Sequence, residues 1–235
     1  MNLFIEIFRN DIKLIFRDKS LFIMFVIPVA VVLLCRLGVP SLKNMFPEME
    51  EYYWLIVASL TSVTASTPSY LMGFIMLDER DENVHTLLRI LPLPKNFILK
   101  SRSVFIVFLG FIFSVFILIF NGLIHFKILV IITVSILFAL IPLFLTFAIT
   151  AFAKNKIEAA TMYKGLNIVL FLPMIAFFVR GIWKYLFGII PFFWTFNALR
   201  YADEPLIYLA SFIVSIFTHA IFTIVLYKIY SKKII

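Results

Sequence analysis

The chain has 235 residues, of which 63% are hydrophobic and only 14% charged, and its formal net charge is +8. A soluble domain is about half apolar and a quarter charged, so this composition excludes an ordinary soluble fold. The basic residues fall in short clusters between apolar runs and form no continuous basic face, which argues against nucleic-acid binding. The composition therefore predicts a protein that lies in a lipid bilayer.

The first predicted element is an amphipathic helix over residues 3–19. Its charged and polar side chains recur at helical spacing, and apolar side chains fill the opposite side. The polar set is Glu6, Arg9, Asn10, Lys13 and Arg17, and the apolar set is Phe4, Ile5, Phe8, Ile12, Ile15 and Phe16. Such a helix is typical of the membrane surface, so residues 1–19 are predicted to form an interfacial helix.

Six apolar segments are predicted to cross the membrane as helices. They are about Ser20–Val39, Tyr52–Leu77, Ser103–Asn121, Ile128–Phe152, Ala159–Val179 and Leu206–Tyr227. Residues 185–199 are also uncharged, but they are shorter than the roughly 20 residues that a span needs, and Pro191 interrupts them. We expect them to form a re-entrant segment before the last helix. The fold class is thus an all-α membrane protein with six transmembrane helices, and residues 1–235 form a single transmembrane domain.

The distribution of basic residues predicts the orientation of the chain. Fifteen Lys and Arg residues lie at the termini and in the connections on the same side as the termini, whereas five lie on the opposite side. Cytoplasmic segments carry the excess of Lys and Arg. The chain is therefore expected to be a multi-pass protein of the cell membrane, with both termini and the loop of residues 78–102 in the cytoplasm.

No constellation of catalytic or metal-binding residues can be assembled from the sequence. There is no Gly-rich phosphate loop, no His-Glu-x-x-His pair and no Gly-x-Ser-x-Gly elbow. Cys35 is the single cysteine, which excludes an intrachain disulfide. His219 is the only histidine within a span, and a hydrogen bond to another helix suits it better than proton relay or ligand binding. We expect no catalytic, cofactor-binding or metal site in this chain.

The second predicted span carries a stripe of serine side chains. Ser59, Ser62, Ser66 and Ser69 are three or four residues apart, so they share one face of a helix. Small residues on one face usually allow close helix packing, as at a subunit interface. A polar lining of a substrate path is the alternative.

The densest polar feature is the loop of residues 78–102. Acidic residues open it, and Leu87, Leu88 and Leu91 then form a short helix-compatible run that Pro92 ends. A solvated linker would gain nothing by exposing these leucines, so they are predicted to contact lipid or another protein.

This loop resembles the loop after the second helix of ABC type-2 permeases. The resemblance rests on Glu79-Arg80-Asp81-Glu82 followed by the leucine-rich turn and Pro92, and the layout of the whole chain is also similar. It implies that a separate ABC ATP-binding subunit uses ATP and Mg, and that the permease pairs with a second copy or a homologue. The residues implied to contact the ATPase are Glu79, Arg80, Asp81, Glu82, His85, Thr86, Leu87, Leu88, Leu91 and Pro92, with a smaller contact at Lys154, Lys156 and Glu158.

The resemblance implies ATP-driven export of a hydrophobic or amphipathic substrate, such as a drug, an antimicrobial peptide or a lipid. The alternative is a non-transporting membrane protein, such as a sensor or assembly factor, whose cytoplasmic loop recruits a partner. An intramembrane enzyme acting on lipid would need a facing pair of acidic or histidine side chains at membrane depth, and we find none in the sequence.

Overall fold

The computed structural model describes residues 3–43, 45–82, 84, 97–179 and 181–234. Every regular element within these ranges is helical. Six helical stretches of this part of the chain are long and apolar enough to cross a membrane. They are Ile23–Leu42, Pro47–Asp81, Phe97–Phe120, Ile128–Phe152, Lys156–Ala176 and Pro205–Lys232. The prediction of an all-helical protein with six membrane-spanning helices is thereby confirmed.

Helix α1 (Leu3–Arg17) precedes the first span and has one buried face. Ile15 is completely buried, and the Phe8 ring meets Phe105 edge to face at 4.4 Å between centroids. The structure thus shows an amphipathic helix packed on the bundle, while its position at the membrane surface stays a prediction.

The first span is a series of short pieces rather than one continuous α-helix. Helices α2 (Lys19–Phe22), α3 (Ile27–Leu33) and α4 (Val39–Leu42) are joined by a 3₁₀ turn and by a π-helical segment, Leu34–Gly38. Arg36 lies in the π-helical segment, and its Nε donates to the carbonyl of Phe120 at 2.7 Å. This bond fastens the first span to the last residue of the third.

The second span, α5 (Tyr53–Asp81), is the centre of the bundle and the most buried of the six. It packs against α6 (Phe97–Phe120), α8 (Ile141–Phe152) and α9 (Lys156–Ala176). Gly110 of α6 allows a close approach, because a Cβ there would lie 2.9 Å from Pro142 Cγ and 3.3 Å from Ala139 Cα. The third and fourth spans can therefore pack closely around α5.

The fourth span consists of two helices, α7 (Ile128–Ala139) and α8, which meet at Leu140. Pro142 lies in the first turn of α8, where backbone amides have no hydrogen-bond partner within the helix. The missing amide hydrogen of proline therefore costs no hydrogen bond there. The proline therefore explains why a new helix begins here within a single span.

A short helix precedes the last span. A 3₁₀ segment, Gly181–Ile189, leads into α10 (Pro191–Arg200), which packs against α11 (Pro205–Ile234). Phe192, Phe193 and Phe196 of α10 are almost fully buried. Ten residues rise about 15 Å, half of a hydrocarbon core of about 30 Å. The region is too short to span, and its re-entrant geometry stays a prediction.

Candidate functional site

Arg102 of α6 is a buried cation held between two carboxylates. Its Nη2 and Nε donate to the Asp11 carboxylate at 3.0 and 3.2 Å, and its Nη1 and Nη2 donate to the Glu79 carboxylate at 2.5 Å each. Arg102 is 6% exposed and Asp11 is 2% exposed. The three residues belong to α6, α1 and α5 respectively, so one guanidinium joins three helices. We call this cluster the arginine joint.

The arginine joint lies at the same end of the bundle as the loop that the sequence singled out. Two carboxylates share one guanidinium there, and burial disfavours the negative charge of Asp11. Burial raises the pKa of Asp11, and the Arg102 guanidinium opposes that rise. A buried charge that loses its partner is strongly unfavourable, so this cluster constrains the relative positions of the three helices.

Arg80 fixes the end of α8. Its Nη2 donates to the carbonyls of Ala153 and Lys154, both at 2.7 Å, and its Nη1 lies 3.5 Å from the carbonyl of Thr150. The last carbonyls of a helix lack intrahelical partners, and the helix dipole favours a cation beside them. Arg80 therefore caps α8 and holds the connection that follows it.

The connection between α8 and α9 is also bound at its other end. Lys156 forms an ion pair with Asp78, and Asp78 lies one helical turn before Glu82. Asn155 caps α9 by accepting from the Glu158 amide at 2.9 Å, while the Glu158 carboxylate accepts from the Lys154 amide at 2.8 Å. The two segments that the sequence assigned to ATPase contact are thus joined directly to each other.

The structure places the other predicted contact residues as follows. Asp81 and Glu82 are exposed at the end of α5. His85, Thr86, Leu87, Leu88, Leu91 and Pro92 lie outside the described residues. Contact of either group with an ATPase stays a prediction. What the sequence did not predict is that Glu79 and Arg80 are engaged within the chain itself.

The serine stripe is buried. The hydroxyls of Ser59, Ser62 and Ser69 donate to backbone carbonyls of their own helix. Ser66 also reaches α9, where its hydroxyl lies 3.1 Å from Tyr163 Oη and donates to Asn167 Oδ1 at 3.1 Å. Within one chain the stripe is therefore a packing surface, and a role at a substrate path or a subunit interface stays a prediction.

His219 does not make the hydrogen bond to another helix that the sequence suggested. Its Nδ1 lies 2.9 Å from the carbonyl of Ser215 on its own helix, and its Nε2 has no partner among the described residues. The link to another helix is indirect, because the Ser215 hydroxyl lies 2.9 Å from Thr195 Oγ1 on α10. The residue is a buried packing element of α11.

Sequence reasoning missed the roles of Asp11 and Arg102. Asp11 lies at helical spacing from Phe8 and Ile15, on the face of α1 that is buried, and this was the available signal. A carboxylate on an otherwise apolar face needs a cation. The cation lies 91 positions away, at the start of a span where a flanking basic residue is ordinary.

Six candidate spans define a multi-pass helical membrane protein, in which ion pairs at one end join α5 to α6 and α9 and join α6 to α1. Comparison with known proteins defines it as an export permease. Residues 11–227 match the model of the family described as Fluoroquinolones export permease protein Rv2686c-like. The chain belongs to this family. The predicted relationship to the permease subunits of ABC transporters is confirmed.

Two relatives come from Mycobacterium tuberculosis. They are the Fluoroquinolones export permease protein Rv2686c of strain ATCC 25618 / H37Rv and the Fluoroquinolones export permease protein MT2760 of strain CDC 1551 / Oshkosh. Each is 27% identical to this chain over 210 residues, which cover 83% of this chain and 81% of the relative. No solved structure matches the chain.

Proposed function

We propose that this chain is the membrane-spanning subunit of an ATP-driven exporter that moves fluoroquinolones or similar amphipathic drugs out of the cell. A separate ABC ATP-binding subunit would supply the energy by hydrolysing ATP with Mg. The observation that carries the proposal is the family match over residues 11–227, which includes all six candidate spans except the last residues of the sixth.

The ion pairs at one end of the bundle support a route for coupling. The segment that begins at Glu79 is proposed to dock on the ATPase. Glu79 is bound to Arg102 of α6, Arg80 to the end of α8, and Asp78 to Lys156 of α9. A displacement of the docking segment would therefore move the ends of three further helices together, because each is attached through a charged hydrogen bond.

The proposed arrangement in the membrane follows from the distribution of charge. Both termini and the connections at residues 82–96 and 153–155 face the cytoplasm, with α1 along that surface and residues 185–199 dipping into the outer half of the bilayer. The permease works as a dimer with a second copy or a homologue. Ser66 of the serine stripe is buried against α9, so it would reach a substrate only if α5 and α9 separate.

Reconstitution tests the proposal. The chain is co-expressed with an ABC ATPase that co-purifies with it, and the complex is placed in liposomes with a fluorescent fluoroquinolone. We expect drug-stimulated ATP hydrolysis and ATP-dependent movement of the drug, both lost when the catalytic glutamate of the ATPase is replaced by glutamine. An ATPase that binds the chain without any drug movement would instead favour the non-transporting alternative.

A further inference from the structure

A cavity of about 610 Å³ lies between the end of α1, α2, the end of α5 and the start of α9. Three apolar side chains contribute to its lining: Leu14, Leu21 and Ile75. The rest of the lining is charged and carries both signs. A volume of this size accommodates a drug-sized molecule, for which pockets of about 300–1,000 Å³ are usual.

Some of the charged groups at this cavity already have partners. Asp78 is paired with Lys156, and Glu79 is bound in the arginine joint. Arg17 and Lys19 lie on the side formed by α1 and α2, and Glu82 lies on the side formed by α5. All three are exposed residues. Asp18 lies in the lining between Arg17 and Lys19 and has an interaction of its own within the chain. The cavity therefore offers basic groups from α1 and α2 and the acidic Glu82 from the end of α5, around an apolar surface.

We propose that this cavity binds a zwitterionic amphipathic ligand, with the ligand's carboxylate on Arg17 and Lys19 and its ammonium on Glu82. The apolar body of the ligand covers Leu14, Leu21 and Ile75. This inference rests on the proposed function, because fluoroquinolones combine a flat apolar ring system with one carboxylate and one basic amine. The zwitterionic headgroup of phosphatidylethanolamine has the same pair of charges and is the other source of such a ligand.

The site has a position suited to a substrate. Glu79 and Asp78 line the cavity and are also the residues that attach α5 to α6 and α9. A ligand in the cavity therefore lies against the ion pairs that are proposed to transmit movement between the helices. A cytoplasmic end of the bundle is also where an exported molecule would first meet the permease.

Binding of norfloxacin to the full-length chain in phosphatidylcholine nanodiscs tests the proposal, with drug fluorescence as the readout. Glu82→Gln should weaken binding about five- to tenfold, the size expected for loss of one charged hydrogen bond. Arg17→Gln combined with Lys19→Gln removes two cations and should weaken binding at least as much. The matched controls are Lys43→Gln and Glu50→Gln, an exposed ion pair in the connection after the first span. They should bind the drug as the native chain does.

Two drug analogues test the carboxylate contact and the ammonium contact separately. The methyl ester lacks the carboxylate, so its binding should not respond to the Arg17 and Lys19 substitutions. The N-acetyl derivative lacks the ammonium, so its binding should not respond to Glu82→Gln. The proposal is overturned if all variants bind norfloxacin with the affinity of the native chain. It is also overturned if each substitution weakens binding of the two analogues as much as it weakens binding of norfloxacin.

Measuring bound phosphatidylethanolamine distinguishes the two sources of the ligand, the lipid and the drug. If the variants release co-purified phosphatidylethanolamine but bind norfloxacin normally, the cavity is a lipid site and the drug assignment is overturned. Competition between the lipid and norfloxacin in the native chain, lost in the variants, supports a shared site. If the variants bind the drug normally and the complex still exports it, only the assignment of the drug to this cavity is refuted. Absence of export by the native complex refutes the proposed function itself.

Discussion

Asp11 and Arg102 are 91 positions apart in the sequence, and their side chains meet at 3.0 Å in a nearly fully buried ion pair. Glu79 binds the neighbouring edge of the same guanidinium, through Nη1 and Nη2. Because one guanidinium binds carboxylates from both α1 and α5, the stability of this end of the bundle should depend on it more than on any exposed ion pair.

Arg102→Gln should destabilise the protein by about 3–5 kcal/mol, because it leaves the buried carboxylate of Asp11 and the partly buried carboxylate of Glu79 without a cation. Lys127→Gln is the matched control, since it breaks an exposed ion pair with Asp203 and should leave the unfolding midpoint unchanged. Thermal unfolding in detergent, followed by the accessibility of buried Cys35 to a thiol dye, measures both. Equal midpoints for the two variants would contradict the central role of Arg102.

Asp11→Asn should cost clearly less than Arg102→Gln. Burial raises the pKa of Asp11, so the folded state holds this proton at a higher pH than the unfolded chain does. The contribution of Asp11 to stability is therefore greatest below its unfolded pKa of about 3.9 and falls as pH rises through the raised folded pKa. The difference in midpoint between the native chain and Asp11→Asn, measured upward from pH 4, should show this decline. An increase of that difference with pH would reverse the assigned direction.

Arg80→Ala should open the end of α8. The carbonyls of Ala153 and Lys154 lose their donor, and a charged hydrogen bond of about 1.5 kcal/mol corresponds to roughly tenfold faster local exchange. Hydrogen–deuterium exchange of peptides covering residues 149–158 measures it. Arg80→Lys should recover part of the protection, because it keeps the charge but not the fork of two nitrogens. Unchanged exchange in Arg80→Ala would show that the cap is dispensable.

Leu88→Asp should weaken association with the ATPase much more than Arg80→Ala does. Burying one leucine is worth about 1.5–3 kcal/mol, whereas an ion pair at an exposed rim is worth about 0–1 kcal/mol. Arg80 is in addition bound to carbonyls within the chain, which leaves it less available to another subunit. Pull-down of the ATPase at matched expression measures the difference. Normal binding and normal ATPase stimulation by Leu88→Asp would remove this loop from the proposed interface.

Both termini should be cytoplasmic. Single cysteines at Lys232 and Glu50, introduced into a Cys35→Ala background, should differ in their reaction with a membrane-impermeant thiol reagent added to intact cells. The cysteine at position 50 should react, and the cysteine at position 232 should react only after the cells are permeabilised. Labelling of position 232 in intact cells would invert the proposed topology.

The spans were predictable because lipid demands about 20 apolar residues in a row, a signal that needs no knowledge of contacts. The interruption of the first span into short pieces was less accessible, since Pro28 alone does not determine where a π-helical segment forms. The interactions of Glu79 and Arg80 could not be read from the sequence at all. Both looked like surface charges of a loop, and only the packing of α5 against α6 and α8 gives them partners.

The bond from Arg36 to Phe120 has a mechanical consequence. Helix α6 is held to the N-terminal part of the chain at both of its ends, by Arg102 and Asp11 at its start and by Arg36 at its final carbonyl. A helix pinned at two points about 27 Å apart cannot pivot independently of the elements that pin it. The first and third spans should therefore tilt together, and an opening within the subunit that moves the third span away from the second must break the bond between Arg102 and Glu79.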